Sequence, residues 1–318
     1  MQFRTQIPVP KSNSPIEYTS GIVSLGSCFA ENIGEKFDYF KFRAVVNPFG
    51  IIFNPVSLEK LIRRSVQKEY FTTKDIFFHN DLWHCFEVHS ELSDPDKNLF
   101  LQSLNRIIDE FHNRLIESSH VCITLGTSWV YRNIKSGEIV ANCHKVPQKQ
   151  FTKELLSVLQ IEESLQNIIS AITSVNPNCN FIFTVSPVRH SKDGFVENQR
   201  SKAHLITALQ TILMTEQFTR NTVYFPSYEI MMDELRDYRF YADDMLHPSQ
   251  VAIDYIWERF FQTMISETCY PVMQEVGSIQ KALQHRPFNP DSDSHQKFLK
   301  NLQEKVAVLQ TQMPHISF

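Results

Sequence analysis

A serine and a histidine far apart in the chain carry the most chemical information. The run Gly26-Ser27-Cys28-Phe29-Ala30 places a hydroxyl where the apolar segment Gly21-Ile22-Val23-Ser24-Leu25 gives way to a helix-like stretch. A small nucleophile at a strand-to-helix turn stands clear of the backbone, beside the free amides of the helix N-terminus. Downstream, Asp244-Met245-Leu246-His247-Pro248-Ser249 sets an aspartate three residues before a histidine, a base and its orienting carboxylate on one loop. Pro248 disfavours helical backbone in the residue before it and suits the first turn of a helix, so His247 is expected extended at a helix entrance. Asp244 then folds back to accept the Nδ1 proton and leaves Nε2 to take the proton of Ser27. Cys28 is the rival nucleophile and Asp243 the rival carboxylate. The pair points to serine acyl chemistry.

Such chemistry needs preorganised donors for an oxyanion. The candidates are the Ser27 amide, the Gly50 amide in Asn47-Pro48-Phe49-Gly50, and a hydroxyl from Gly126-Thr127-Ser128-Trp129. Asn142 and His144 are further polar candidates at a strand-to-loop transition, and Arg189, after Ser186-Pro187-Val188, is placed to hold a substrate carboxylate or phosphate. Histidines and acids are plentiful (Asp81, His84, Glu87, His89, His144, His190), but their spacing fits no H-E-x-x-H or two-Cys-two-His pattern. There is no G-x-G-x-x-G and no Walker lysine loop, so neither a metal nor a nucleotide cofactor is expected.

The elements that must position these residues read as alternating strands and helices. Apolar strands are predicted at 22–25, 121–125, 180–185 and 222–225, with a further strand at 83–88. A hairpin pairs 129–131 with 138–140 around Lys135-Ser136-Gly137. Helical spacing runs over 29–40, from Leu58 after a Ser57 cap, and over 97–116, 152–175 and 198–217. A last core helix opens at Pro248 and runs to about 265. Strands separated by amphipathic helices define an α/β fold with a mainly parallel sheet, whose ligands bind beyond the carboxyl ends of the strands. Ser27, Gly126 and Ser186 all fall at such ends.

The 318 residues, 42% of them hydrophobic, suffice for one large domain and an appendage. The expected division is 1–284 for the α/β domain and 285–318 for a turn-rich linker and helical tail. That tail (Phe298, Leu302, Val306, Leu309) either packs on the domain or pairs with a second copy in a homo-oligomer. A formal charge of −4 argues against a dedicated nucleic-acid partner. The first residues, Met1-Gln2-Phe3-Arg4-Thr5, hold no apolar leader, no run is long enough to span a bilayer, and the six cysteines form no C-x-x-C pair. A cytoplasmic protein with reduced thiols is expected.

The run Leu25-Gly26-Ser27-Cys28-Phe29-Ala30-Glu31-Asn32 resembles the signature of GSCFA domain proteins, themselves similar to the SGNH (GDSL-like) hydrolases. Supporting stretches are Asn47-Pro48-Phe49-Gly50, Thr124-Leu125-Gly126-Thr127, Asn142-Cys143-His144-Lys145, Thr184-Val185-Ser186-Pro187-Val188-Arg189 and the Asp244–Ser249 run. The likeness covers about residues 20–265 and leaves out the tail after about 285. It implies a flavodoxin-like three-layer α/β/α sandwich, with Ser27 as nucleophile and Asp244 and His247 completing a triad. It also implies an oxyanion hole from the Ser27 amide, Gly50 and a third-block side chain. Two departures stand out: no aspartate separates Gly26 from Ser27, and Ser128 occupies the place of the usual asparagine. The expected function is ester hydrolysis (acylesterase or acetylesterase type) or O-acyl transfer on an acylated small molecule or carbohydrate. A catalytically silent carbohydrate- or partner-binding module is the alternative.

Overall fold

Alternating apolar residues settle which way each strand faces. The computed structural model describes residues 5–215 and 221–318. In chain order its elements are β1 (Gly21–Gly26), α1 (Cys28–Tyr39), β2 (Arg43–Val46), α2 (Pro55–Val66), β3 (Ile76–His79), β4 (Leu82–Cys85), α3 (Lys97–Glu117), β5 (His120–Leu125) and β6 (Trp129–Asn133). There follow β7 (Ile139–Val140), β8 (Phe151–Leu155), α4 (Val158–Val175), β9 (Asn180–Val185), α5 (Phe195–Leu213), β10 (Thr222–Phe225), α6 (Gln250–Met264), α7 (Tyr270–Leu283) and α8 (Asp293–Gln312). Five strands form one parallel sheet in the order β10-β9-β5-β1-β2. Counted along the chain that is the 2-1-3-4-5 order of flavodoxin-like folds, whose ligand crevice opens where the winding reverses, between β1 and β5.

Both faces of the sheet are buried, as a parallel sheet requires. Val23 and Leu25 of β1, with Val121, Ile123 and Leu125 of β5 and Phe181, Phe183 and Val185 of β9, face one core with α2, α3, α4 and α5. The intervening Ile22, Cys122 and Ile182 face the other, with Phe29, Ile33 and Phe37 of α1 and the apolar stripes of α6 and α7. The result is a three-layer α/β/α sandwich. Two small antiparallel sheets, β3-β4 and β7-β6-β8, decorate it. The β3–β4 turn uses Asn80 and Asp81, both at positive φ, as a two-residue type I′ hairpin demands.

Several local expectations need correction. Helix α2 starts at Pro55 because Asn54, not Ser57, caps it, accepting the Ser57 amide at 2.9 Å. The stretch predicted to be helical from 152 opens instead as β8, pairing with β6. Helix α4 begins only after Ser157, where a capping box with Gln160 supplies the start signal. The strand expected over 83–88 is shorter, Leu82–Cys85. Pro248 precedes the Ser249 cap of α6 rather than opening the helix. Helix α5 starts at Phe195 and ends at Leu213, and the expected end at Gln217 lies outside the described residues. Strands β2 and β3 and helix α7 had not been expected. The tail forms α8, and its Leu302 and Leu309, with Ile316 beyond it, are buried in the second core. No helix among the described residues is long and apolar enough to cross a membrane.

Candidate active site

The turn after β1 is built around a glycine. Gly26 has φ 128°, and a Cβ there would sit 2.0 Å from the Thr124 carbonyl oxygen, so a side chain is excluded both by backbone and by space. The Gly26 amide donates to Asn47 Oδ1 at 2.8 Å and the Ser27 amide to the Thr124 carbonyl at 3.0 Å. These bonds fix Ser27 at the N-cap of α1 with extended backbone, yet its side chain makes no capping bond. Its Oγ is buried and has no hydrogen-bond partner. A buried hydroxyl left so is unfavourable by about 1–3 kcal/mol. Cys28, the rival nucleophile, is held mostly buried, and that burial pushes its thiol above the usual range, aided by Glu31 and opposed by Lys202 and the first amides of α1. It stands as a protonated thiol, not an activated thiolate.

The second half of the site is the loop before α6. Asp244 Oδ1 accepts the amides of Leu246 (2.9 Å) and His247 (3.0 Å), while Oδ2 lies 2.6 Å from His247 Nδ1. Those bonds, the His247 amide first and the imidazole next, hold the Asp244 carboxyl down at about 2. Met245 takes positive φ to let the chain fold back, and the Ala242 amide donates to the His247 carbonyl at 2.8 Å. Asp243 lies in the turn that the Met245 amide closes on the Ala242 carbonyl, and its side chain makes no hydrogen bond among the described residues. His247 is half exposed, and its Nε2 has no partner among the described residues.

Contacts through the strand ends bring the two halves to the same edge of the sheet. The Arg189 amide donates to the Leu246 carbonyl at 3.3 Å, and its guanidinium bonds the Met245 carbonyl. The guanidinium also stacks on Tyr241, 4.5 Å from the ring centre, and its Nε is buried without a partner. Arg189 follows β9, which pairs with β5, which in turn accepts the Ser27 amide. The link from Ser27 Oγ to His247 is not made as a hydrogen bond.

The remaining predicted residues are placed less simply. The Gly50 amide donates to the Asn47 carbonyl at 2.7 Å, closing its own turn. Ser128 is fully buried and faces α5: its amide donates to Ser201 Oγ (2.8 Å) and its Oγ to the Ser201 carbonyl (3.1 Å). Asn142 Oδ1 accepts the His144 amide at 2.8 Å. His144, at positive φ, packs beside His84 and Phe77 with Nε2 2.7 Å from the Cys85 carbonyl, and burial lowers its pKa to about 4. These two sit with the β3–β4 hairpin, and no hydrogen bond joins them to Ser27 or His247. No set of three or more His, Cys, Asp or Glu among the described residues is arranged to hold a metal ion.

Three further residues that the sequence did not assign to this site lie around it. Asn47 locks Gly26 and points its amide at Glu31, 3.4 Å away. His190 packs edge-on to Phe53 with Nε2 buried and unpartnered; burial, then the charges of Lys202 and His247, lower its pKa to about 3. Lys202 of α5 lies wholly buried beneath the strand ends. Asn47 stood inside a quoted motif and His190 beside one, but a lysine in the middle of an amphipathic helix gave no signal.

The chain is thus a three-layer α/β/α protein with Ser27 at the turn after β1 and an Asp244–His247 couple on the loop before α6. The family model of the GSCFA family matches residues 21–260, and the chain belongs to that family. A model for the C-terminal domain of GSCFA domain proteins matches residues 276–318, so the tail expected to fall outside the likeness has a family match of its own. No curated protein matches the chain.

Proposed function

We propose that this GSCFA protein is a serine-dependent ester hydrolase or O-acyltransferase acting on an acylated small molecule or carbohydrate. The observation that carries the reading is Ser27 itself: it occupies a helix-cap position at the carboxyl end of β1, makes no cap bond, and holds its Oγ buried and unpartnered. In this reading His247 takes the proton of Ser27 as Oγ attacks the ester carbonyl. Asp244 keeps the imidazole in the tautomer with Nδ1 protonated and balances the imidazolium charge. Collapse of the tetrahedral intermediate expels the alcohol, which takes the proton back from His247, and leaves an acyl group on Ser27. Water or an acceptor hydroxyl then removes it by the same route. Arg189, with its free Nε, is the candidate anchor for a substrate anion.

A second reading, a silent binding module on the same scaffold, draws on one observation: the three oxyanion donors expected from sequence are all engaged elsewhere. A fluorophosphonate probe followed by intact mass separates the two. The expected result is a single adduct on the wild type, lost in Ser27→Ala and in His247→Ala. No adduct on folded wild type would transfer the argument to the binding module.

A further inference from the structure

Lysine is almost never fully buried without an ionic partner. Lys202 is buried completely, and no carboxylate among the described residues lies within ion-pair distance of it. Its Nζ donates instead to two carbonyls, Gly126 at 2.7 Å and Ser186 at 2.8 Å, with the Tyr228 ring 5.5 Å away. The location of those carbonyls is informative. The β5–β9 ladder closes with Leu125 opposite Val185 and the Ser186 amide on the Leu125 carbonyl. Beyond it the two chains diverge, and the next carbonyls, Gly126 and Ser186, are the pair that Lys202 takes. Its neighbour Ser201 holds Thr127 and Ser128 of the same loop.

The two strands so joined lead to opposite halves of the site. Strand β5 accepts the Ser27 amide at Thr124. The segment after β9 carries Arg189, which grips the Met245 and Leu246 carbonyls of the His247 loop. We propose that Lys202 is a positioning residue that clamps the splayed ends of β5 and β9 and so sets the His247 loop in register with the Ser27 turn. It touches no reacting atom; it acts through the two carbonyls. Burial lowers the pKa of this amine to about 7, and its two bonds to carbonyls need only N–H donors that both its charge states carry.

This proposal rests on the Ser27–His247 reading for its functional meaning, so its test has one arm that needs no reactivity. In Lys202→Met, hydrogen exchange is expected to quicken about tenfold at 126–130 and 186–190 while the sheet interior stays protected. In the second arm, the fluorophosphonate inactivation constant kinact is expected to fall roughly 10–100-fold with the probe's binding constant unchanged, the signature of misplacement rather than lost affinity. Lys202→Gln, which keeps a donor amide, is expected between the two. If the wild type never labels, the exchange arm still decides the clamp. Unchanged exchange at both segments, exchange raised throughout the chain, or failure of both variants to fold would overturn it.

Discussion

A serine that caps a helix and a serine kept for chemistry respond oppositely to alanine. Ordinary capping is worth about 1 kcal/mol, because the side chain satisfies an orphan amide. Ser157 does this at α4, with the Gln160 amide at 3.2 Å and a reciprocal bond from its own amide to Gln160 Oε1 at 2.9 Å. Ser27 holds the same position on α1 and makes no such bond; Ala30 closes the first turn on the Ser27 carbonyl at 2.8 Å. Ser27→Ala therefore removes no hydrogen bond and relieves one buried unpartnered oxygen, a gain of up to about 1–2 kcal/mol less the small void it leaves. Ser157→Ala should lose about 1 kcal/mol. For 318 residues the unfolding entropy near the midpoint is about 0.7 kcal/mol per kelvin, so 1 kcal/mol moves Tm by about 1.5 °C. Calorimetry of the two variants beside wild type should show Ser27→Ala unchanged or raised by up to about 2–3 °C, and Ser157→Ala lowered by about 1.5 °C. A fall of 1.5 °C or more in Ser27→Ala would return Ser27 to the capping serines. A gain in stability joined to loss of probe labelling is the trade expected of a strained functional group.

Two further outcomes follow from buried polar groups. Ser128→Ala should cost about 1 kcal/mol, since it removes the Oγ bonds to Ser201 while the Ser128 amide and Thr127 still hold the Ser201 hydroxyl, yet should leave probe labelling within a few-fold; a 10²–10³-fold drop would support Ser128 as an oxyanion donor. Acid should destabilise the fold through His190 and His144, whose folded pKa values are lowered to about 3 and about 4. Unfolded histidines bind protons below about 6.5 while these two do not, so stability is full above that pH and is lost as it falls toward 4. The loss reaches about 5 kcal/mol at pH 4.5, and urea midpoints from pH 7 to 4.5 that stay flat would contradict it.

How much of this was legible beforehand depended on range. The strands at 22–25, 121–125 and 180–185 showed as short apolar runs because each is buried on both faces, and their helices showed as 3.6-residue stripes. Residues 152–155 were misread because Leu155 and Leu159 lie four apart, a spacing compatible with a helix, and only pairing with β6 makes 152–155 part of a strand. Strand β2 is an edge of four residues, too short to announce itself. At the site, the Asp244–His247 couple was readable since both partners lie on one turn, where spacing alone fixes the geometry. The bonding of Ser128 was hidden for the opposite reason. Its partner Ser201 is 73 residues away, on a helix whose packing against that loop no local pattern encodes.

In the proposed reading, that bonding changes where an oxyanion would find its donors. The Ser27 amide is committed to Thr124, the Gly50 amide to Asn47, and the Ser128 hydroxyl to Ser201. What remains at the turn is the start of α1 itself. The amides of Cys28 and Phe29 have no carbonyl acceptor among the described residues, as expected for the first turn of a helix. They reach the Cys28 sulfur closely enough to draw its pKa downward against the effect of burial, so an anion beside Ser27 would feel the same field. Glu31 lies in the first turn of that helix with its carboxyl pushed up, first by burial. A hole made from a helix terminus needs no third-block asparagine. In the proposed reading the replacement at position 128 then costs no donor, and Ser128 ties the β5–β6 loop to α5 through Ser201.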